Sequence, residues 1–244
     1  MRHLKIVLAA VLVLAACAVS AQPQFQAGGN FSLAYPQKDF KKNIDNAGIG
    51  GAGHFAYRFG RSPFLVGASI GFWIYGSNTR SVPFSETIDE VYVDVTTTNS
   101  FVMGHLMFRI QPQAGPLRPY IDGLLGLNFL NTSTEISSED SDWEEDRHIA
   151  RSNNSNDVAS NYGFGGGLMV RVYDAQARGR EGGLQAVFVD LGIRSLKGGK
   201  AEYMTVREED DEAVFERYKS ETDLVTYHLG VSFDFTVNSG AAGE

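Results

Sequence analysis

Hydrophobic and polar residues alternate along most of this chain, and the alternation predicts β-strands. In "YHLGVSFDF", Tyr227 to Phe235, every second residue is apolar or aromatic. Because strand side chains point alternately to opposite faces, one face is apolar and the other polar. No amphipathic helix is predicted between the strands. The eight predicted strands are 25–35, 48–59, 64–76, 91–110, 120–130, 158–173, 184–196 and 222–235.

The connections between these strands alternate between long and short. The long polar ones are 36–47, 77–90, 131–157 and 197–221, and the shorter ones are 60–63, 111–119 and 174–183. Such an order places all long loops at one end, whereas a Greek-key sandwich would not require it. The sequence therefore predicts an all-β fold, an eight-stranded antiparallel up-and-down transmembrane β-barrel with long extracellular loops.

The alternation alone does not say whether the apolar face meets lipid or a protein core. The opposite, polar face is crowded with small residues such as Gly67, Ser69 and Gly71, which a narrow lumen requires. We therefore expect the large apolar residues to face lipid. Aromatic residues near strand ends are expected to form interfacial girdles; these are Tyr35, Phe59, Phe64, Tyr120 and Tyr162.

The N-terminus has the pattern of a secretory signal peptide. Basic residues precede an apolar run that is too short to span a bilayer, and small residues end at Ala21. An alternative is a lipoprotein site in "LAAC", with Cys17 acylated. The sequence thus predicts a signal peptide at 1–21, a barrel domain at 22–235 and a short periplasmic tail at 236–244.

The charge of the chain is acidic, with 29 Asp and Glu against 21 Lys and Arg and a formal net charge of −8. This balance argues against nucleic acid as a partner. The acidic residues concentrate in 137–146 and 207–216. Asp140, Asp142 and Glu144 offer oxygen ligands for a divalent cation, but the stretch lacks the spacing of an EF-hand, and a solvated charge run is the alternative.

Charged residues recur on the polar face of the predicted strands. They are expected to form a charge network in the lumen, because an unpaired buried charge costs several kcal/mol; its members are Arg58, Arg109, Asp122, Arg171, Asp190, Arg194 and Asp234. His54, His105 and His228 share this face and allow a lumenal metal site, but a hydrogen-bonded interior is the favoured explanation, because strands this far apart do not guarantee the close geometry of metal ligands. No cofactor is expected.

The segments "LRPYIDGLLGLN", "YGFGGGLMVRV" and "HLGVSFDF" resemble the small eight-stranded bacterial outer-membrane β-barrel family, often called porin-like. The resemblance implies a Gram-negative outer membrane, contact with its lipid and lipopolysaccharide, and assembly by the barrel-insertion machinery. His228, Gly230, Phe233 and Phe235 match the family's C-terminal assembly signal. The nine residues after Phe235 depart from the family, which commonly ends at that aromatic.

These observations favour a non-enzymatic protein with a structural or surface-interaction role, in adhesion or envelope integrity, through its acidic loops. The long fourth strand is expected to project above the membrane at 91–98 and to display an edge to a surface ligand that the sequence does not identify. The first alternative is a porin-like channel for small solutes. The second is a lipid-modifying enzyme, although His148 is the only histidine in the long loops and has no clear partner set.

Overall fold

The computed structural model describes residues 25–44, 46–85, 88–138, 148–175, 183–209 and 212–236, and most of them lie in β-strands. The expected signal peptide with Cys17, the residues Asp140, Asp142 and Glu144, and the tail after Thr236 lie outside them. The elements are β1 (Phe25–Pro36), α1 (Lys38–Asn43), β2 (Gly48–Arg58), β3 (Phe64–Ser85), β4 (Ile88–Ile110), β5 (Leu117–Ser138), β6 (His148–Asp174), β7 (Gly183–Gly198), β8 (Lys200–Glu209), β9 (Glu212–Glu221) and β10 (Leu224–Thr236).

Eight of the ten strands form a closed antiparallel barrel in the order β1-β10-β7-β6-β5-β4-β3-β2. The barrel closes between the first and last strands, where Phe25 pairs with Phe235 and Pro36 pairs with Leu224. Every other neighbouring pair is consecutive along the chain once the β8–β9 hairpin is set aside. The eight-stranded up-and-down barrel that the sequence predicts is therefore confirmed.

The barrel exterior is apolar and the interior is polar. On β3, Phe64, Ile70 and Phe72 are about half exposed, and the intervening Leu65, Ser69 and Trp73 are buried in the lumen. The same alternation runs around the wall; the exposed set includes Phe31, Ile49, Phe55, Leu106, Ile121, Leu125, Phe164, Leu191 and Leu229. Exposure of so large a continuous apolar belt to water would be strongly unfavourable, and soluble proteins rarely show one. This surface therefore faces lipid.

Four strands extend far above this belt, which corrects the predicted loops at 77–90 and 131–157. β3 and β4 remain paired to Ser85 with Ile88, and β5 and β6 remain paired to Ser137 with His148. The sequence conceals these extensions because Ser, Thr and Asn occupy both of their faces, so the period of two disappears. β-branched threonine nevertheless favours strands, and neighbouring strands satisfy the backbone.

Two further elements cover the same end of the barrel. The predicted loop 36–47 contains the short helix α1, and the predicted loop 197–221 is the hairpin β8–β9, paired from Lys200 with Glu221 to Glu209 with Glu212. The expectation that no helix interrupts the strands is therefore wrong at one place, the six-residue helix α1. Within the described ranges, no helix is long and apolar enough to cross a membrane.

Candidate functional site

A fully buried ion pair lies inside the lumen. Arg109 on β4 donates from Nε and Nη2 to the two carboxylate oxygens of Asp122 on β5, at 2.7 and 2.9 Å. Arg194 on β7 adds a longer contact of 3.4 Å to the same carboxylate. The side chains of Arg109 and Asp122 are fully buried. Such a bidentate pair compensates for the lost hydration of both charges, so that each partner depends on the other.

A chain of hydrogen bonds connects this pair to the closing strands. Arg109 Nη1 donates to Gln26 Oε1 at 3.0 Å, and Gln26 Nε2 donates to Asp234 Oδ1 at 2.8 Å. The other oxygen of Asp234 accepts from Arg118 Nη1 at 2.5 Å. Gln26 lies on β1 and Asp234 on β10, so the chain crosses the seam where the barrel closes.

A second polar group surrounds Tyr120, which lies directly beneath the guanidinium of Arg109 at 3.9 Å from the ring centroid. Its hydroxyl donates to Asp190 Oδ1 at 2.8 Å and contacts His228 Nε2 at 2.9 Å. Tyr120 is therefore inside the barrel, and its expected place in the exterior girdle is wrong. Asp122 is two residues away on the same strand, and residues at that spacing share a face.

Two glycines make room for this tyrosine. A Cβ added at Gly167 on β6, or at Gly192 on β7, would lie 2.5 Å from the Tyr120 hydroxyl oxygen. At Gly192 it would also lie 2.5 Å from the His228 ring. The glycines of these two strands thus determine how far a large side chain can reach across the lumen.

The remaining residues of the expected network lie nearer the short-turn end. Arg58 is buried, with one contact of 3.5 Å from Nη1 to the backbone oxygen of Gln111, while its Nη2 has no protein partner. Arg171 forms a pair of 2.8 Å with Asp174, and both side chains are 28% exposed. Arg171 therefore belongs to the rim rather than to the buried network.

Sequence reasoning missed Gln26, Arg118 and Tyr120 as members of the network. Gln26 and Arg118 lie at the beginnings of their strands, where too few residues precede them to show which face each side chain takes. Arg118 also fell within 111–119, which the sequence assigned to a connection between strands. A signal was present for two of them, because Arg118 and Tyr120 precede Asp122 at even spacing on one strand.

The histidines do not form a metal centre in the described part of the chain. No group of three or more His, Cys, Asp or Glu side chains there could hold an ion. His54, His105 and His228 are all buried in the lumen, as parts of its polar lining.

Aromatic side chains close the lumen at the end of the barrel from which β3 to β6 extend, here called the long-strand end. Trp73 stacks on Phe101 at 5.4 Å between ring centroids, and Tyr75 packs on the same Phe101 at 5.7 Å. Above them Phe40 of α1 packs edge-on against Tyr203 of β8 at 5.1 Å. The helix and the hairpin, both unexpected from the sequence, therefore form a cap over the mouth.

A salt bridge fastens this cap to the barrel. Lys38 Nζ donates to Asp223 Oδ2 at 2.6 Å, and the hydrogen bond raises the pKa of the Lys38 ammonium. The other oxygen of Asp223 accepts from the backbone of Gly198 at 3.1 Å. One carboxylate thus connects α1 with the ends of β7 and β10.

We expect no steady single-channel conductance when the protein is reconstituted in planar bilayers, because side chains fill the lumen at two levels. Phe40→Ala is the informative variant: it opens the aromatic cap but leaves Arg109 and Asp122 in place, so it should also remain closed. Regular conductance steps from the unaltered protein would contradict this prediction.

Above the membrane, β3 to β6 form one polar sheet, and threonines connect its strands. Thr79 and Thr96 share a hydrogen bond of 2.9 Å between their hydroxyls, as do Thr97 and Thr134 at 3.1 Å. The expected projection of β4 above the membrane is present, but the expected free edge is wrong for 93–98, because these residues pair with β3 on one side and with β5 on the other.

The free edge of this sheet belongs to β3 instead. Pairing between β2 and β3 ends at Ile49 with Ile74, so in the described ranges the stretch from Gly76 to Ser85 pairs only with β4. On the far side of the sheet, β8 covers part of the edge of β6, where Glu202 N donates to Asp157 Oδ2 at 2.6 Å.

The four residues of the expected assembly signal lie on β10 with alternating orientation. His228 is buried in the lumen, while Phe233 is exposed on the apolar exterior. Phe235 stacks on Phe25 of β1 at 5.7 Å between centroids, next to the seam, and Gly230 pairs with Asn30. Their role in assembly stays a prediction.

No family model and no curated protein matches this sequence. Solved structures with a similar fold include Ail, the attachment invasion locus protein of Yersinia pestis, with 13% identity over 88% of this chain and 100% of that one and a TM-score of 0.38. Neisserial surface protein A has 8% identity, coverages of 89% and 100%, and a TM-score of 0.37. The N-terminal β-barrel domain of OprF from Pseudomonas aeruginosa has 15% identity, coverages of 88% and 100%, and a TM-score of 0.34.

Similarities at this level add no argument to the one that the barrel itself supplies. A closed sheet has no edge within the hydrocarbon layer, and an exterior of large apolar residues is compatible with lipid and not with water. Both features are present, together with a charged interior. The chain is a small eight-stranded transmembrane β-barrel with a closed wall and a lipid-facing apolar exterior.

Proposed function

We propose that this protein is a non-enzymatic surface-interaction protein that binds an extended segment of another protein along the free edge of β3. The observation that carries this proposal is the backbone from Gly76 to Ser85, which pairs with β4 on one side and, within the described ranges, with no strand on the other. An exposed edge offers a row of N–H and C=O groups to which a further strand can add.

The local sequence leaves this edge open to a partner. Ser77, Thr79 and Ser81 are exposed, and Arg80 is the only charged residue from Gly76 to Val82. β-bulges interrupt the pairing only at its two ends, between Ile74 and Gly76 and between Pro83 and Ser85. Charges, prolines and bulges are the usual protection of an edge, and the stretch between the bulges has little of it.

Charge indicates the kind of segment that would bind. In the sequence, the acidic stretch 137–146 follows the end of β5, and the acidic stretch 207–216 spans the connection between β8 and β9. An approaching segment that contains Lys or Arg would be attracted, and an acidic one repelled, at distances up to about 10 Å at ordinary ionic strength. We therefore propose a basic, extended partner.

The filled lumen argues against the channel alternative. For the enzyme alternative, the outer rim would need a histidine, a serine and a carboxylate in contact. The three histidines whose side chains the structure describes, His54, His105 and His228, all line the lumen and do not reach the outer rim.

The test is a binding screen of the barrel in lipid nanodiscs against an array of extended peptides of graded charge. We expect basic peptides to bind. The double variant Thr79→Lys, Ser81→Lys should weaken their binding at least tenfold, because lysines on an edge strand hinder the pairing of a further strand. The double variant Thr96→Lys, Thr98→Lys on the central strand β4 adds the same two charges, is the matched control and should bind within twofold of the unaltered protein. Equal losses in both variants would assign the effect to charge alone and contradict edge binding.

A further inference from the structure

A small cavity in the lumen is lined both by residues of the polar network, Arg194 and His228, and by Trp73 of the aromatic cluster. Its volume is about 10 Å³. The residues that line it also include Asn30, Ser69 and His105. A cavity of this size holds about one water molecule if two to four polar groups meet it.

Five buried polar atoms of the lining residues have no protein partner. They are Asn30 Oδ1, Ser69 Oγ, Trp73 Nε1, His105 Nε2 and Arg194 Nε. A buried polar group without a hydrogen bond costs about 1–3 kcal/mol, and the concentration of five around one small space is unlike a chance scatter of unsatisfied groups.

We infer that this cavity is a binding site for one ordered water molecule that completes the lumenal network. Trp73 Nε1 and Arg194 Nε can only donate, so the water accepts from both of them. His105 Nε2 in the neutral ring and Asn30 Oδ1 can accept, so the water donates to these two. Ser69 Oγ has both capacities and is a fifth neighbour. Two donors and two acceptors match the four hydrogen bonds of water.

The same donor and acceptor set selects water over a small ion. A metal cation would meet two N–H groups that cannot ligate it. A chloride ion would meet the oxygen of Asn30, and it would need His105 to present an N–H. The inferred water links Arg194, and through it Asp122, to Trp73 in the aromatic cluster. The polar chain would then continue from the closing seam to the cap.

The experiment is NMR on the 15N-labelled protein in lipid nanodiscs, because the indole N–H of Trp73 and the Nε–H of Arg194 both give observable signals. We expect a cross-peak from each to a long-lived water. Trp73→Phe identifies the indole signal, and Asn30→Ala, which removes one acceptor, should abolish or strongly weaken the cross-peak at Arg194. Ser69→Ala is the control on the same cavity wall and should retain it.

Two results would overturn the inference. One is the absence of a long-lived water at both N–H groups of the unaltered protein. The other is a shift of the Arg194 Nε signal that follows chloride concentration when chloride is replaced by sulfate at constant ionic strength, since it would assign the cavity to an anion.

Discussion

Replacing Asp122 by asparagine is expected to lower the free energy of unfolding by about 3–5 kcal/mol, the usual cost of removing one partner from a buried ion pair. The substitution conserves volume, so the loss is electrostatic. Arg109 and Arg194 would both lose their shared carboxylate, and the remaining partner of Arg109, Gln26, is neutral. The free energy of unfolding is measured by urea titration of the protein in lipid vesicles. The folded fraction at each urea concentration is read from the gel band of the folded barrel, which migrates differently from the heat-unfolded chain.

Asp174→Asn is the matched control for this experiment. It removes the same charge from a pair with Arg171, but both side chains are 28% exposed. A pair in contact with water contributes about 0–1 kcal/mol. If both variants lost the same small amount, Asp122 would not be the electrostatic centre of the lumen.

Ile70→Arg is expected to destabilise the barrel by about 2–4 kcal/mol, the cost of a basic residue at the middle of the lipid-facing surface of such barrels. Ile70 lies midway along the apolar belt on β3 and is 65% exposed. The measurement is the same vesicle titration, and yield of folded protein should fall with it.

Ser77→Arg provides the comparison on the same strand. Ser77 is exposed above the belt, so Ser77→Arg places the same arginine side chain on a solvent-exposed surface. It should change the free energy of unfolding by less than about 0.5 kcal/mol. Equal tolerance of both arginines would mean that the exposed face of β3 does not meet hydrocarbon.

The barrel was predictable because its evidence is local. Alternation identified the wall strands, and small residues such as Gly67 identified the lumenal face. Arg109 and Asp122 were also accessible to sequence reasoning, because a short connection places their strands side by side. Arg194 was expected in the same network, but its contact with Asp122 and the contact of Gln26 with Arg109 could not be foreseen. Both residues lie on distant strands that reach the same lumen only when the barrel closes.

The elements above the membrane were harder to predict, for a different physical reason. Thr79, Thr96 and Thr134 lie in strand extensions with polar residues on both faces, so no apolar period marks them. Helix α1 has too few residues to show a helical period, and only Phe40 is buried in it. Tyr120 was misplaced because a rule about strand ends was preferred to its even spacing from Asp122.

The continuity of β4 and β5 has a mechanical consequence. Their pairing runs without a break from Ile110 with Ile121 in the barrel to Val93 with Ser138 above it. A force applied to the outer sheet along the strands therefore loads many hydrogen bonds of this ladder in parallel, as shear, instead of opening them one after another. If a partner binds the edge of β3 as proposed, a load on that partner would pass through the sheet to the wall of the barrel, and from there to the membrane.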